Sequence, residues 1–458
     1  MPFAERDAYY EYEKTLKVRW RKPQACSTVL DLAGNRTGGY LMLSKQYQHF
    51  AEQLRANPGD NPTRVGYAKL RSIQEQRILT EDCGCQSITQ KAAEYGGIHA
   101  EWLIPEQAEE GKAVVYIHGG GWSLGSIRQT RLFLAPMVEC FGVSTVHFDY
   151  RLMPENPFPA GLDDCVSLWR GLLETGWDAG SLVLAGESAG ANLALALLLR
   201  LRQENLQMPA AACLMSPITF QDTMEGSHTE LAPLDFILAE DSFLLDRVSE
   251  LYAPGMDKRS VLLSPLYADL HGMPPMQLFV GTDEKLFDDT VRFYQKLRLS
   301  GVEAELHVGD HMCHSWPIFM NSFPEAREAV QEMSAYIRQQ LRSGKGNAPY
   351  YEQQLVQTAL DEIEQHYRQA NLSALADRNN QTLYGYSKLI KQYTGRTFKQ
   401  LLKDRRFAVA KQLLLETDKP VKTIAAEVGY ENLTHFYELF RKEFGETPQK
   451  LREKLAGV

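Results

Sequence analysis

Short apolar, β-branched runs alternate with longer stretches of helical periodicity through the middle of this 458-residue chain. AVVYIHGGG begins at Ala113, VSTVHFDY at Val143, SLVLAGES at Ser181, AACLMSP at Ala211 and MQLFVGTDE at Met276, with ELHVGD following from Glu305. Such runs, bounded by Gly, Pro and Asp, predict strands. Strands spaced by helices predict an α/β fold: a doubly wound, mostly parallel sheet covered on both faces. ANLALALLLRL from Ala191 is apolar nearly all round, as a helix packed onto such a sheet must be. Residues 1 to about 85 and about 219 to 262 are polar, helical in pattern and without strand signals, which predicts a helical lid over one end of the sheet. LRSGKGNAP, 341–349, mixes small, polar and helix-breaking residues and reads as a linker. Beyond it the periodicity is helical throughout, so the predicted order is a lid segment 1–85, an α/β domain 86–340 with a lid insertion, the linker, and an all-α domain 350–458.

Composition changes little in this picture. At 44% hydrophobic and 23% charged residues the chain is globular and long enough for two or more cores. The start, MPFAERDAYYEYEK, lacks the basic end and apolar stretch of a secretory signal, and no apolar run is long enough to span a bilayer. The expectation is a cytoplasmic protein with no membrane partner. Seven cysteines at scattered positions suggest reduced thiols rather than a disulfide scaffold, and neither Cys83-x-Cys85 nor the HMCH string at 311–314 has the company a metal site needs. No cofactor is expected.

Charge matters more. Lys and Arg against Asp and Glu give 17 − 14 = +3 for residues 350–458, and 32 − 44 = −12 for the remainder. Only the tail suits a polyanion, and its surplus alone is too small to establish one.

GESAG, 186–190, falls between a predicted strand and a predicted helix, which puts Ser188 on a sharp turn at a helix N-terminus. HGGGW, 118–122, follows another strand. Its bare amides, from among Gly119, Gly120 and Gly121, could join the N–H of Ala189 around an oxyanion. Asp283 follows the strand MQLFV and His314 follows the next, with Asp288 and His311 as rivals. The chain order Ser, Asp, His is that of a hydrolase triad.

HGGGW, DYRLMPENPFPAGLDD, GESAGAN, SPLYADLHGMPP, GTDEKLFDD and HMCHSW, in this order over roughly residues 85–340, resemble the hormone-sensitive-lipase-like branch of the α/β-hydrolases. The resemblance implies Ser188, Asp283 and His314 as catalytic residues and hydrolysis of short-acyl carboxylic esters. It favours His314 over His311 because the family histidine follows a methionine by two positions, as His314 follows Met312. Two departures are visible: Glu187, where aspartate is commoner, and Ser315-Trp316, where Gly-Phe is usual.

In the tail, VKTIAAEVGYENLTHFYELFRKEFG has the pattern of two short helices broken at Gly429, a helix-turn-helix. From NLSALADRNN to FGETPQKLR the tail resembles the DNA-binding domain of AraC/XylS-type regulators, which implies two such units and double-stranded DNA as partner. Leu433, Thr434 and His435 fall where the second recognition helix would face bases. Lys388, Lys391, Arg396, Arg405 and Arg406 are candidate phosphate contacts, and so are Arg441 and Lys442. Gly385 and Tyr386 occupy the family's aromatic and leucine positions in the first recognition helix, a departure that weakens that helix by about 1 kcal/mol at the glycine.

The combined expectation is a transcription regulator whose ligand half is an esterase-like domain, with a small ester as ligand or substrate and a homodimer as an open alternative. The competing expectation is a carboxylesterase whose tail is incidental to its chemistry.

Overall fold

The structure, a computed structural model, describes residues 29–30, 36–37, 43–57, 66–78, 85–222, 226–238, 250–343, 348–379 and 381–456. The chain forms two compact units, Met1–Asn347 and Ala348–Val458.

The first unit is built on an eight-stranded sheet. Its strands are β1 (Ile88–Tyr95), β2 (Ile98–Pro105), β3 (Ala113–Ile117), β4 (Ser144–Phe148), β5 (Leu182–Glu187), β6 (Ala211–Met215), β7 (Met276–Gly281) and β8 (Ala304–Gly309), in the order β8-β7-β6-β5-β3-β4-β2-β1. The six strands from β3 onward run parallel to their neighbours, whereas β2 pairs antiparallel with both β4 and β1. The β1–β2 hairpin is absent from the strand reading above. ITQKAAEY is mostly polar because it is an edge strand with most of its side chains in solvent, so it lacks the apolar run by which the inner strands are recognised. A second small antiparallel pair, Val29–Leu30 with Arg36–Thr37, lies in the segment expected to be free of strands.

Helices cover both faces. Val114, Tyr116, Val183, Ala185, Cys213, Met215 and Phe279 alternate along four strands and pack against the helices Ile127–Phe141 and Pro324–Ser343 in one apolar core. The helix Ala189–Gln203, buried over nearly its whole length, lies against β5. Residues 223–225 and 239–249 of the expected lid insertion, more than half of the expected lid segment 1–85, and Cys83 of the Cys-x-Cys pair lie outside the described residues. Among the described residues no helix is long and apolar enough to cross a membrane.

Strand register positions the chemistry. Ile117 is paired with Gly186, Glu187 with Met215, Met215 with Phe279, and Gly281 with Gly309. The carboxyl ends of β3, β5, β6, β7 and β8 therefore meet at one edge. The chain order also reverses between β3 and β5, which opens the crevice where parallel α/β sheets hold their ligands.

The second unit has two small cores. Tyr386, Leu389 and Ile390 close the first, and Phe407, Phe436 and Phe440 close the second. The helix Phe398–Glu416 serves both, giving Phe398 to one and Phe407, Ala410 and Leu414 to the other. The second recognition helix repeats the first at an offset of fifty positions. Thr382 and Asn432 are the N-caps, Tyr386 and Phe436 the buried ring positions, and Gly395 and Gly445 the left-handed C-caps.

Candidate functional site

Ser188 stands between β5 and the helix Ala189–Gln203 with φ 55° and ψ −121°, a conformation a non-glycine residue adopts only under strain. Its N–H donates to Met215 O at 2.8 Å, which ties the turn to β6. A Cβ at Gly190 would stand 2.2 Å from Ile117 O and 2.4 Å from His118 O, so only glycine lets the helix start this close to the end of β3.

The HGGGW loop lies against this turn. His118 is buried and stacked on Tyr150, its Nδ1 donates to Gly119 O, and burial pushes its pKa down to about 4. The ring is neutral scaffold rather than an acid or base. Gly119, expected among the oxyanion donors, is removed from that set: its N–H already donates to Glu187 Oε1 at 2.6 Å. The N–H groups of Gly120, Gly121 and Ala189 make no hydrogen bond among the described residues. Gly120 needs its φ of 93°, and a Cβ there would meet Leu124 O at 2.4 Å.

Glu187 is a buried carboxyl that accepts from Gly119 N–H and, at 2.5 Å, from Tyr116 O–H. Burial pushes its pKa up to about 7, against the pull of those two donors. The folded chain thus holds a proton here between the ordinary 4.5 and about 7, where the unfolded chain has released it. Stability from this group is full below 4.5 and falls as pH rises to about 7. Glu187→Gln is expected to flatten that slope. Thermal melts of both proteins followed by tryptophan fluorescence from about pH 5 to about pH 7.5 will check it, and parallel slopes would refute it.

The acid facing the histidine differs from the expectation. His314 Nδ1 lies 2.7 Å from Glu284 Oε2, and both side chains are buried. Asp283 points to the other histidine instead, with both carboxylate oxygens 3.2 Å from His311 Nδ1 in a more exposed pair. Adjacent residues leave a chain in different directions, and only Glu284 is turned inward. Its Oε1 accepts from Gly281 N–H at 2.7 Å and Ser216 O–H at 2.8 Å, and these two bonds fix its orientation. Asp288 sits at the start of the short helix Ser227–Glu230, accepting from Ser227 N–H at 3.0 Å. In GTDEKLFDD the two acids stand side by side with no local signal to tell them apart, and Ser216 carries none either.

Burial alone would push the His314 ring down. The bonded Glu284 carboxylate, with Asp235 and Glu187 nearby, outweighs burial and holds its pKa above the ordinary value. Burial pushes Glu284 up, opposed chiefly by His314. Ser188 Oγ makes no hydrogen bond to the ring in this state; the hydroxyl facing Nε2 is that of Ser315, at 3.4 Å. The edge therefore brings together a hydroxyl on a strained turn, a carboxylate-held imidazole and a row of unpartnered amides, the parts required for acyl transfer. Among the described residues there is no cluster of metal-ligating side chains.

In the second unit Lys388, Lys391, Arg441 and Lys442 are exposed, as are Thr434 and His435, while Leu433 is half-buried. Arg406 is a correction. Its guanidinium donates to Tyr367 O at 2.9 Å and Arg368 O at 3.1 Å and covers the Tyr430 ring, so it ties residues 367–368 to the second core and is engaged there instead of being held out for phosphate. Arg396 and Arg405 sit in ion pairs with Asp404 and Glu364. The fifty-residue offset sets Tyr384 opposite Thr434, and Tyr384 is 80% exposed beside exposed Leu383. The sequence reading missed Tyr384 because an aromatic in a helical pattern ordinarily signals core. Gly385 does not break its helix, whose first turn is capped by Thr382.

Comparisons with known proteins agree with this division. Residues 114–318 match the family model described as alpha/beta hydrolase fold, and residues 375–454 match one described as helix-turn-helix domain. An acetyl-hydrolase of Streptomyces hygroscopicus is 36% identical over 243 residues, covering 53% of this chain and 80% of that protein. The carboxylesterase NlhH of Mycobacterium tuberculosis is 33% identical over 299 residues, covering 61% and 90%. A crystal structure of an esterase from the bacterial hormone-sensitive lipase family superposes with a TM-score of 0.60 at 31% identity, covering 66% of this chain and 99% of that one.

Proposed function

Because the chain belongs to the hormone-sensitive-lipase-like α/β-hydrolases and carries an AraC-type helix-turn-helix domain behind that half, we propose that it is a DNA-binding regulator whose first unit binds and hydrolyses a short-acyl carboxylic ester. The observation that carries the enzymatic half is the buried Glu284–His314 pair at the sheet edge that also bears Ser188.

In this mechanism Glu284 accepts the Nδ1 hydrogen of His314, fixing the tautomer that leaves Nε2 free as a base. His314 takes the proton of Ser188 as its Oγ attacks the ester carbonyl. The N–H groups of Gly120, Gly121 and Ala189 hold the oxyanion, and the helix N-terminus adds a favourable field. The alcohol leaves with the proton from His314, and water, activated by the same ring, then releases the acyl group.

Hydrolysis of 4-nitrophenyl acetate by the full chain tests the first half, and titration onto DNA from upstream of its own gene, with and without an ester at fixed salt, tests the second. Absence of hydrolysis would remove the enzymatic reading. DNA affinity indifferent to the ester would leave an esterase with an uncoupled tail, since a ligand shifts a state only by binding it unequally.

On DNA, Tyr384 and Leu383 reach bases from the first helix-turn-helix of the second unit, as Thr434 and His435 do from its second helix-turn-helix. Tyr384→Ala is expected to weaken specific binding about tenfold at fixed salt and to blur the choice of base at one position. Lys388→Ala should instead weaken all sequences alike and lower the salt slope by about one. Fluorescence anisotropy at two salt concentrations separates these outcomes; an unchanged Tyr384→Ala protein would remove that side chain from the interface.

A further inference from the structure

With Nδ1–H directed at Glu284, His314 in its neutral form carries its lone pair on Nε2. That lone pair is the proposed acceptor of the Ser188 proton, yet the hydroxyl within reach of it is Ser315 Oγ, at 3.4 Å, and Ser315 Oγ has no other partner among the described residues. The residue is buried and held in the left-handed region, φ 51° and ψ 34°, where glycine is the natural occupant. Two bonds keep it there. Its N–H donates to Ser216 Oγ at 3.0 Å, the same hydroxyl that donates to Glu284, and its carbonyl accepts from Ile318 N–H at 3.1 Å. The Ser315 backbone is thus tied to the same network that orients the ring, which keeps its hydroxyl beside Nε2.

We propose that Ser315 is a positioning residue that competes with Ser188 for His314 Nε2, holding the base in a resting hydrogen bond that slows acylation. The proposal rests on the esterase reading. Any acylation of Ser188 must first displace the Ser315 hydroxyl from the lone pair. That cost suits a chain in which a ligand's lifetime matters more than its rapid turnover.

Two effects follow when the hydroxyl is removed. Nε2 becomes free, and acylation accelerates about two- to fivefold, the size of one weak neutral hydrogen bond. The second effect concerns pH. A hydroxyl donating to Nε2 favours the neutral ring, so its removal raises the pKa of His314 and moves the acid limb of the rate to higher pH. The titratable groups facing His314 are Glu284 from the turn after β7, Asp235 from the segment after the helix Ser227–Glu230 and Glu187 from the end of β5, and all three persist in the variants.

The test uses the full chain with Ser315→Gly and Ser315→Ala, following release of 4-nitrophenol as diethyl 4-nitrophenyl phosphate modifies Ser188 from about pH 5 to about pH 9. In that step Ser188 Oγ bonds to phosphorus, 4-nitrophenolate leaves and the serine proton passes to His314. Glycine relieves the backbone strain and alanine keeps it, so a gain shared by both belongs to the hydroxyl. Faster modification in both, with the acid midpoint moved upward, is the expected result. Rates equal to or below wild type with an unmoved midpoint would overturn the proposal and leave the esterase reading standing. If the unsubstituted chain reacts no faster than Ser188→Ala, the esterase reading itself falls, and the Ser315 proposal with it.

Discussion

Glu284→Gln should lower kcat for ester hydrolysis by about four orders of magnitude, whereas Asp283→Asn should cost less than about tenfold. Glutamine preserves the size of the side chain but offers Nδ1–H no carboxylate, so the ring loses both its fixed tautomer and the charge that stabilises it when protonated. The amide would also bring a donor towards Gly281 N–H or Ser216 O–H, which already donate to that oxygen. Asp283, by contrast, serves the partly exposed His311. The two substitutions, assayed side by side with Ser188→Ala as the floor, decide which acid serves the reaction. Equal losses would show that the sheet edge moves as one piece, and a larger loss at Asp283 would reverse the assignment.

Phe407→Ala should destabilise the second helix-turn-helix core by about 3–5 kcal/mol, a large share of what a small domain has in total. Phe407 is fully buried and its ring meets those of Tyr430, Phe436, Phe440 and Phe444 at 5.6 to 6.0 Å between centroids. No neighbour of comparable size can fill the hole. All six tryptophans lie before residue 348, so their fluorescence reports the first unit alone. Urea unfolding is expected to show an unchanged tryptophan transition and an earlier loss of helical circular dichroism, with DNA binding lost alongside. Coincident shifts in both signals would mean that the two units unfold together.

The fold and most of the site are legible because they depend on local pattern. Apolar runs of five or six residues mark β3 to β7, since strands buried on both faces have few positions for polar side chains, and the edge strand β8 is marked instead by its place between a helix and GD. Ser188 is legible because a serine flanked by glycines between a strand and a helix has few alternative uses. The edge hairpin is not, since a half-solvated strand of ITQKAAEY looks like any polar segment. Arg406 misleads for a similar reason: a guanidinium spent on carbonyls and one held for phosphate are the same letter in sequence.

By itself the sequence determined the two-part organisation, the alternation of the inner strands with helices, the strand-to-helix turn that carries Ser188 and the place of His314 just after a strand, because each is written in residues close together along the chain. Tertiary structure alone decided which of two adjacent acids faces His314, that Gly119 is occupied by Glu187, and that Ser315 rather than Ser188 rests on the ring. Those choices turn on the direction in which a side chain leaves the end of its strand and on what is packed there to receive it. The receiving group Ser216 follows β6 and meets the turn after β7 only when the sheet is assembled, while Gly281 adds a local bond from the end of β7 itself.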